Sequence, residues 1–175
     1  GEDPYLTGKL GCAYIRGLQG PDRDHPKAAA CAKHFAVHSG PEALRHEFDA
    51  KVSRHDLYDT YLYAFKRCVK DAGVEAVMGA YNRVNGEPAC GSRTLLKNIL
   101  RDEFGFEGHV VSDCWAINDF HLHHHVTGIA EESAAMAVNN GCDLNCGNAF
   151  LHLPKAYSSP SRQKRSSGTS SRRRS

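Results

Sequence analysis

The sequence predicts an α/β fold built on a parallel sheet, and two observations carry that reading. Helical and strand patterns alternate with short connections through residues 1–153, which argues for parallel strands joined by right-handed crossovers, either doubly wound or closed as a barrel. Three short apolar runs also end on polar side chains: Cys31-Ala32-Lys33-His34, Ala76-Val77-Met78-Gly79-Ala80-Tyr81-Asn82 and Val110-Val111-Ser112-Asp113-Cys114-Trp115. Both architectures place functional residues at the C-terminal ends of strands, so the three ends mark a candidate site without choosing between them.

Asp3-Pro4 reads as an N-cap followed by a proline at the first helical position, and Leu6, Leu10, Ala13, Tyr14 and Leu18 repeat at helical spacing up to Gly20-Pro21. A polar loop follows, then a small, apolar strand over residues 28–35. Ser53 and Asp56 form a capping pair for a long helix with Leu57, Tyr61, Ala64, Phe65, Cys68 and Ala72 on one stripe, closed by Gly73. Residues 74–80 are the next strand, 94–104 a helix capped by Gly105, and 108–112 a third strand bounded by turn residues. A helix over 131–140 leads through Gly141 to a short strand at 142–145.

At 175 residues the chain has room for one domain with a core, yet it is short of the ~250 residues typical of a closed (β/α)8 barrel. Seven of the 22 basic residues lie in residues 151–175, which hold no acid, so residues 1–150 sum to −5 against their 20 acids. That balance fits a domain with no specific affinity for nucleic acid. The seven cysteines form no CxxC pair and read as buried free thiols of a reducing compartment, which favours the cytoplasm. No apolar run approaches the ~20 residues of a membrane span, and no leader pattern is present, although a chain opening without Met could have lost one. From Pro154 onward Ser and Arg dominate, and residues 154–175 read as a disordered basic tail of the kind a frame-shifted or mis-spliced end would leave.

The motifs, taken in order, resemble glycoside hydrolase family 3 over nearly all of residues 1–153. They are Gly1-Glu2-Asp3-Pro4-Tyr5-Leu6, Ala32-Lys33-His34-Phe35, Met78-Gly79-Ala80-Tyr81-Asn82 with Val84-Asn85-Gly86, and Val111-Ser112-Asp113. His38-Ser39-Gly40-Pro41-Glu42 and Asp113-Cys114-Trp115-Ala116-Ile117 are most similar to the branch of β-glucosidases and β-xylosidases. The resemblance implies a partial TIM-type (β/α)8 barrel, about its C-terminal half, in a retaining exo-β-glycosidase that removes terminal glucose or xylose from oligosaccharides without a cofactor. Asp113 would be the nucleophile, Lys33 and His34 would bind sugar hydroxyls, Tyr81 would lie beside the nucleophile, and Met78 and Trp115 would line the pocket. Lys33 would also hold Asp113 ionised by its charge. A retaining pair needs a second carboxyl ~5–5.5 Å from the first, and the family's acid/base glutamate sits on a further domain with no counterpart in these motifs. The implied substrate is a small β-glycoside.

Each of these residues also has a plainer account. Asp113 could be an N-cap or turn aspartate, Lys33-His34 a solvated strand end, and Trp115 a core aromatic. Glu42, Arg45 and His46 would border the site as salt-bridged loop residues. His121, His123, His124 and His125 do not share a helix face, which argues against a metal site. Two other functions compete. A β-N-acetylhexosaminidase of the same family would show a Gly-His-Gly stretch and an Asp-x-His that this chain lacks. An inactive, truncated product would expose unclosed barrel edges and self-associate through them.

Overall fold

The computed structural model describes residues 2–158. Helix α1 (Pro4–Gln19) precedes strands β1 (Cys31–Phe35) and β2 (Asp49–Ala50); α2 (Arg54–Asp56) runs through a π-helical turn at Leu57–Tyr61 into α3 (Tyr63–Lys70). Strands β3 (Ala76–Gly79), β4 (Arg83–Val84) and β5 (Glu87–Pro88) follow, then a π-helical segment at Thr94–Glu103 and strand β6 (His109–Val111). Helices α4 (Asp119–Leu122), α5 (Ala130–Asn140) and α6 (Leu153–Ser158) complete the order. Helix α6 runs past Pro154, where the sequence marks the start of the tail, and the rest of that expected tail lies outside the described residues.

The α/β alternation folds into a parallel sheet of order β1-β3-β6, in the register Ala32–Val77–Val110. Side chains alternate across a strand. Val77 and Val110 on one face are fully buried, whereas Met78 and Val111 on the other are half-buried. The strand expected at 142–145 is reduced to a single parallel bridge between Val111 and Leu144. The chain leaves the ladder there because Asn145 Nδ2 and the Cys146 N–H turn to donate to the buried Ser112 hydroxyl, at 3.3 and 3.0 Å.

Asp3 caps α1 by accepting from the Leu6 N–H at 2.9 Å. Its apolar spacing is real, but the buried face is the other one. Gly8, Cys12, Ile15 and Gln19 are buried, while Leu6, Leu10 and Tyr14 are more than half exposed. Small residues decide the face: a Cβ at Gly11 would stand 3.2 Å from the Cys68 sulfur of α3, so α1 packs closely on α3 through its glycines. Gln19 then ties two strands together. Its Oε1 accepts from the N–H of Glu75 (2.9 Å) and of Ala30 (3.3 Å), and its Nε2 donates to the Gly73 carbonyl.

Ser53 caps α2 as the sequence predicts, accepting from the Asp56 N–H at 3.0 Å. The wide turn that follows inserts one residue per turn, which rotates the stripe and carries Leu62 into the core alongside Leu57. A second sheet, β2-β4-β5, has no counterpart in the expectations. Its β4–β5 hairpin turns on Asn85 and Gly86, both at positive φ (50° and 91°), as a two-residue primed turn requires. Parallel pairing of β2 with β4 anchors the 36–48 loop beside the end of β3.

Candidate functional site

The three strand ends converge as the sequence predicts, and they do so unevenly. Asp113 lies two residues beyond β6, its backbone N–H donating to the Gly79 carbonyl at the end of β3 (3.3 Å). Its side chain is 13% exposed, with Oδ1 accepting from the Cys114 N–H at 2.8 Å and Oδ2 standing 3.3 Å from His34 Nε2. Burial lowers the His34 pKa, with opposition from the Asp113 charge and support from Lys33 and His38. Tyr81, two residues past β3, completes the group. Burial first, then the nearby charge of Asp113, push the phenol up.

Lys33 does not take the place beside Asp113 that the sequence suggests. It is exposed, and among the described residues the basic group within ion-pair distance of Asp113 is His34. Lys33 and His34 line the same cavity beside α1, and the Lys33 charge bears on the His34 imidazole. Met78 is half-buried on the sheet face opposite Val77. Trp115 is no core aromatic. It is 54% exposed at φ 68°, and its backbone N–H donates to the Cys146 carbonyl at 2.7 Å.

Directly after Asp113 the chain is cross-linked, because Cys114 and Cys146 form a disulfide with Cα atoms 4.4 Å apart. This corrects the expectation of seven free thiols. The two cysteines are separated by 32 positions yet follow neighbouring strand ends, a proximity that only the folded sheet creates. Cys12, Cys68, Cys90 and Cys142 are buried thiols, and Cys31 is an exposed one.

Around this centre lie further residues, of which the sequence placed Arg45 and His46 at the border of the site and gave no role to His38, Asn82 or Asp119. His38 Nδ1 meets Asn82 Oδ1 at 3.1 Å, and Asn82, 1% exposed, donates to the carbonyls of Ala36 and Val37, fixing the chain after β1. Arg45 does pair with Glu42 as expected of a loop residue, but it also lies over the Tyr81 ring at 5.2 Å. His46 packs edge-on against Tyr81 (4.6 Å) and reaches the buried Asp119 at 2.8 Å. The available signal was Asp119 itself, a lone carboxylate among Ala116, Ile117 and Phe120. The histidine cluster disperses: His121 contacts Ser133, His123 faces Asp119, His124 is buried near Phe120 and His125 is exposed. Among the described residues no group of three or more His, Cys, Asp or Glu side chains could hold a metal ion. None of the described helices is long and apolar enough to cross a membrane.

Residues 1–150 match the family model described as the glycosyl hydrolase family 3 N terminal domain. Over 160 residues the chain is 51% identical to a xylan 1,4-beta-xylosidase of Xylanibacter ruminicola, covering 89% of this chain and 19% of that protein. It is 42% identical over 153 residues to beta-D-xylosidase 1 of Arabidopsis thaliana, covering 84% and 20% respectively. Among solved structures it is similar to a GH3 exo-beta-xylosidase in complex with a xylobiose aziridine activity-based probe, with TM-score 0.87 and 33% identity over 90% of this chain and 21% of that one. A beta-glucosidase from Listeria innocua in complex with isofagomine is similar at TM-score 0.79 and 33% identity, over 89% and 22%. The chain spans about a fifth of the length of the curated relatives it matches.

Proposed function

The chain belongs to glycoside hydrolase family 3, and from that premise we propose that it is the nucleophile-bearing part of a retaining exo-β-glycosidase acting on terminal β-linked xylose, with glucose as the alternative glycone. The observation that carries the reading is the approach of His34 Nε2 to within 3.3 Å of the Asp113 carboxylate, with Tyr81 close by, at the ends of three neighbouring parallel strands. The names of its relatives favour xylose.

In this mechanism the Asp113 carboxylate attacks the anomeric carbon while an acid outside the described residues protonates the departing oxygen. The glycosyl ester on Asp113 is then hydrolysed by water with net retention. Lys33 and His34 bind the sugar hydroxyls, Met78 lines the pocket, and the exposed Trp115 indole offers a stacking wall. Tyr81 orients the carboxylate. The sheet is the C-terminal half of a (β/α)8 barrel formed by residues 1–153, and its half-covered face is the barrel's interior. The chain alone, short of its acid, turns over poorly and self-associates through its open edges and the bare stripe of α1. The Cys114–Cys146 bridge suits an oxidising compartment rather than the cytoplasm.

The test is hydrolysis of an aryl β-xyloside by the longer polypeptide that carries this chain. Asp113→Ala lowers turnover by at least about 10³-fold, and azide restores it with an α-xylosyl azide as product. Near-normal activity in the variant excludes Asp113 as the nucleophile.

A further inference from the structure

Tyr81 is held from two directions that the proposed chemistry does not use. The loop after β1 brings Arg45 and His46, and α4 brings Asp119. The His46 ring stands edge-on to Tyr81 with centroids 4.6 Å apart, and the Arg45 guanidinium carbon lies 5.2 Å over the same ring. His46 Nδ1 lies 2.8 Å from Asp119 Oδ2, and Arg45 Nε donates to His46 Nε2 at 3.2 Å. His123 Nε2 faces Asp119 Oδ1 at 3.7 Å.

These contacts fix where the His46 proton sits. A guanidinium Nε–H can only donate, so His46 Nε2 must accept, and the ring proton belongs on Nδ1, where it donates to Asp119. Asp119 is itself costly. Its side chain is 5% exposed, among Ala116, Ile117 and Phe120 that are at most 1% exposed, and a carboxylate so placed is retained only with good partners. Burial raises its pKa and the His46 hydrogen bond opposes that rise.

The geometry points to His46 and Asp119 as a positioning pair: Asp119 orients the His46 ring, and the ring holds Tyr81 and Arg45 so that Tyr81 stays beside Asp113. Neither residue touches the sugar. The role rests on Asp113 being the nucleophile, whereas the geometry does not. With the ring gone Tyr81 loses its lateral support, and Asp113 no longer presents a fixed oxygen to the anomeric carbon. Misplacement on this scale costs up to about 10²-fold in rate.

The experiment has two arms on the 175-residue chain. In the first, ¹⁵N-histidine NMR at neutral pH reads the His46 tautomer, assigned by loss of its signals in His46→Asn. The expected state is neutral with the proton on Nδ1; an unconstrained histidine carries it mainly on Nε2, and that result overturns the pair. In the second, the rate of Asp113 labelling by a 2-deoxy-2-fluoroxyloside with a good leaving group is compared between the wild type, Asp119→Asn and His46→Asn, the last keeping an N–H for Asp119 but no ring for Tyr81. Labelling falls about 10- to 100-fold in His46→Asn and less in Asp119→Asn. Unchanged labelling in His46→Asn overturns the positioning role. A chain with the Nδ1 tautomer but no adduct on wild-type Asp113 overturns the functional reading, and the role with it, while the hydrogen-bonded pair stands.

Discussion

Removing the Cys114–Cys146 bridge opens a loop of sequence separation 32 beside the candidate nucleophile. The loop-closure entropy that a cross-link of this span takes from the unfolded chain is worth about 3.7 kcal/mol at ~25 °C. Native contacts at the same place survive the loss, because the Trp115 N–H still donates to the Cys146 carbonyl and the Cys146 N–H to Ser112 Oγ. The effect therefore lies in the unfolded state more than in the site. The Cys114→Ser/Cys146→Ser double variant unfolds in urea with a stability lower by about 2–4 kcal/mol, which for a domain of this size is a melting temperature lower by roughly 10 °C. Thiol titration of the denatured, unreduced protein gives five reactive cysteines of the seven. Seven titratable thiols after oxidative refolding, or an unchanged urea midpoint in the double variant, would refute the reasoning.

Three further outcomes are expected. In Gly108→Ala the new Cβ would stand 2.0 Å from the Glu75 carbonyl oxygen, to which His109 donates in the β3–β6 pairing, so stability falls by about 3 kcal/mol or more in a urea titration. His124, 4% exposed, has its pKa lowered by burial to about 4 from 6.5. The unfolded chain therefore takes up this proton before the folded one. Stability from this group is complete above pH ~6.5 and is lost as pH falls toward ~4, by about 3 kcal/mol in all. His124→Phe flattens that acid limb in melting curves recorded across the range. Trp115→Ala leaves the melting temperature nearly unchanged, since the indole is 54% exposed, but slows labelling of Asp113 by roughly tenfold through lost stacking.

What the sequence made legible was whatever depends on local pattern. Asp3-Pro4, Ser53 with Asp56, and the closing glycines 20, 73, 105 and 141 fixed the helix ends, because caps act within a turn. The apolar runs into Lys33-His34, Tyr81 and Asp113 located the strand ends, and His34, Tyr81 and Asp113 do meet. Features that depend on which surfaces come together stayed hidden. Hydrophobicity alone puts Leu6, Leu10 and Tyr14 inward, whereas close helix packing selects the glycine and cysteine face of α1. Cys114 and Cys146 become partners only once the Val111–Leu144 bridge forms. Asn85-Gly86 did carry a local signal for a hairpin, but two-residue strands are too short to show alternation. His46 and Asp119 are 73 positions apart, and nothing in either segment names the other.

The most direct test of the central claim is to incubate the 175-residue chain with a 2-deoxy-2-fluoroxyloside bearing a leaving group that needs no acid, then to digest it and map the adduct by tandem mass spectrometry. The account predicts one glycosyl ester, on Asp113, absent in Asp113→Asn and formed faster than with the glucose analogue. No adduct on folded chain, or an adduct on a different carboxylate, would contradict it.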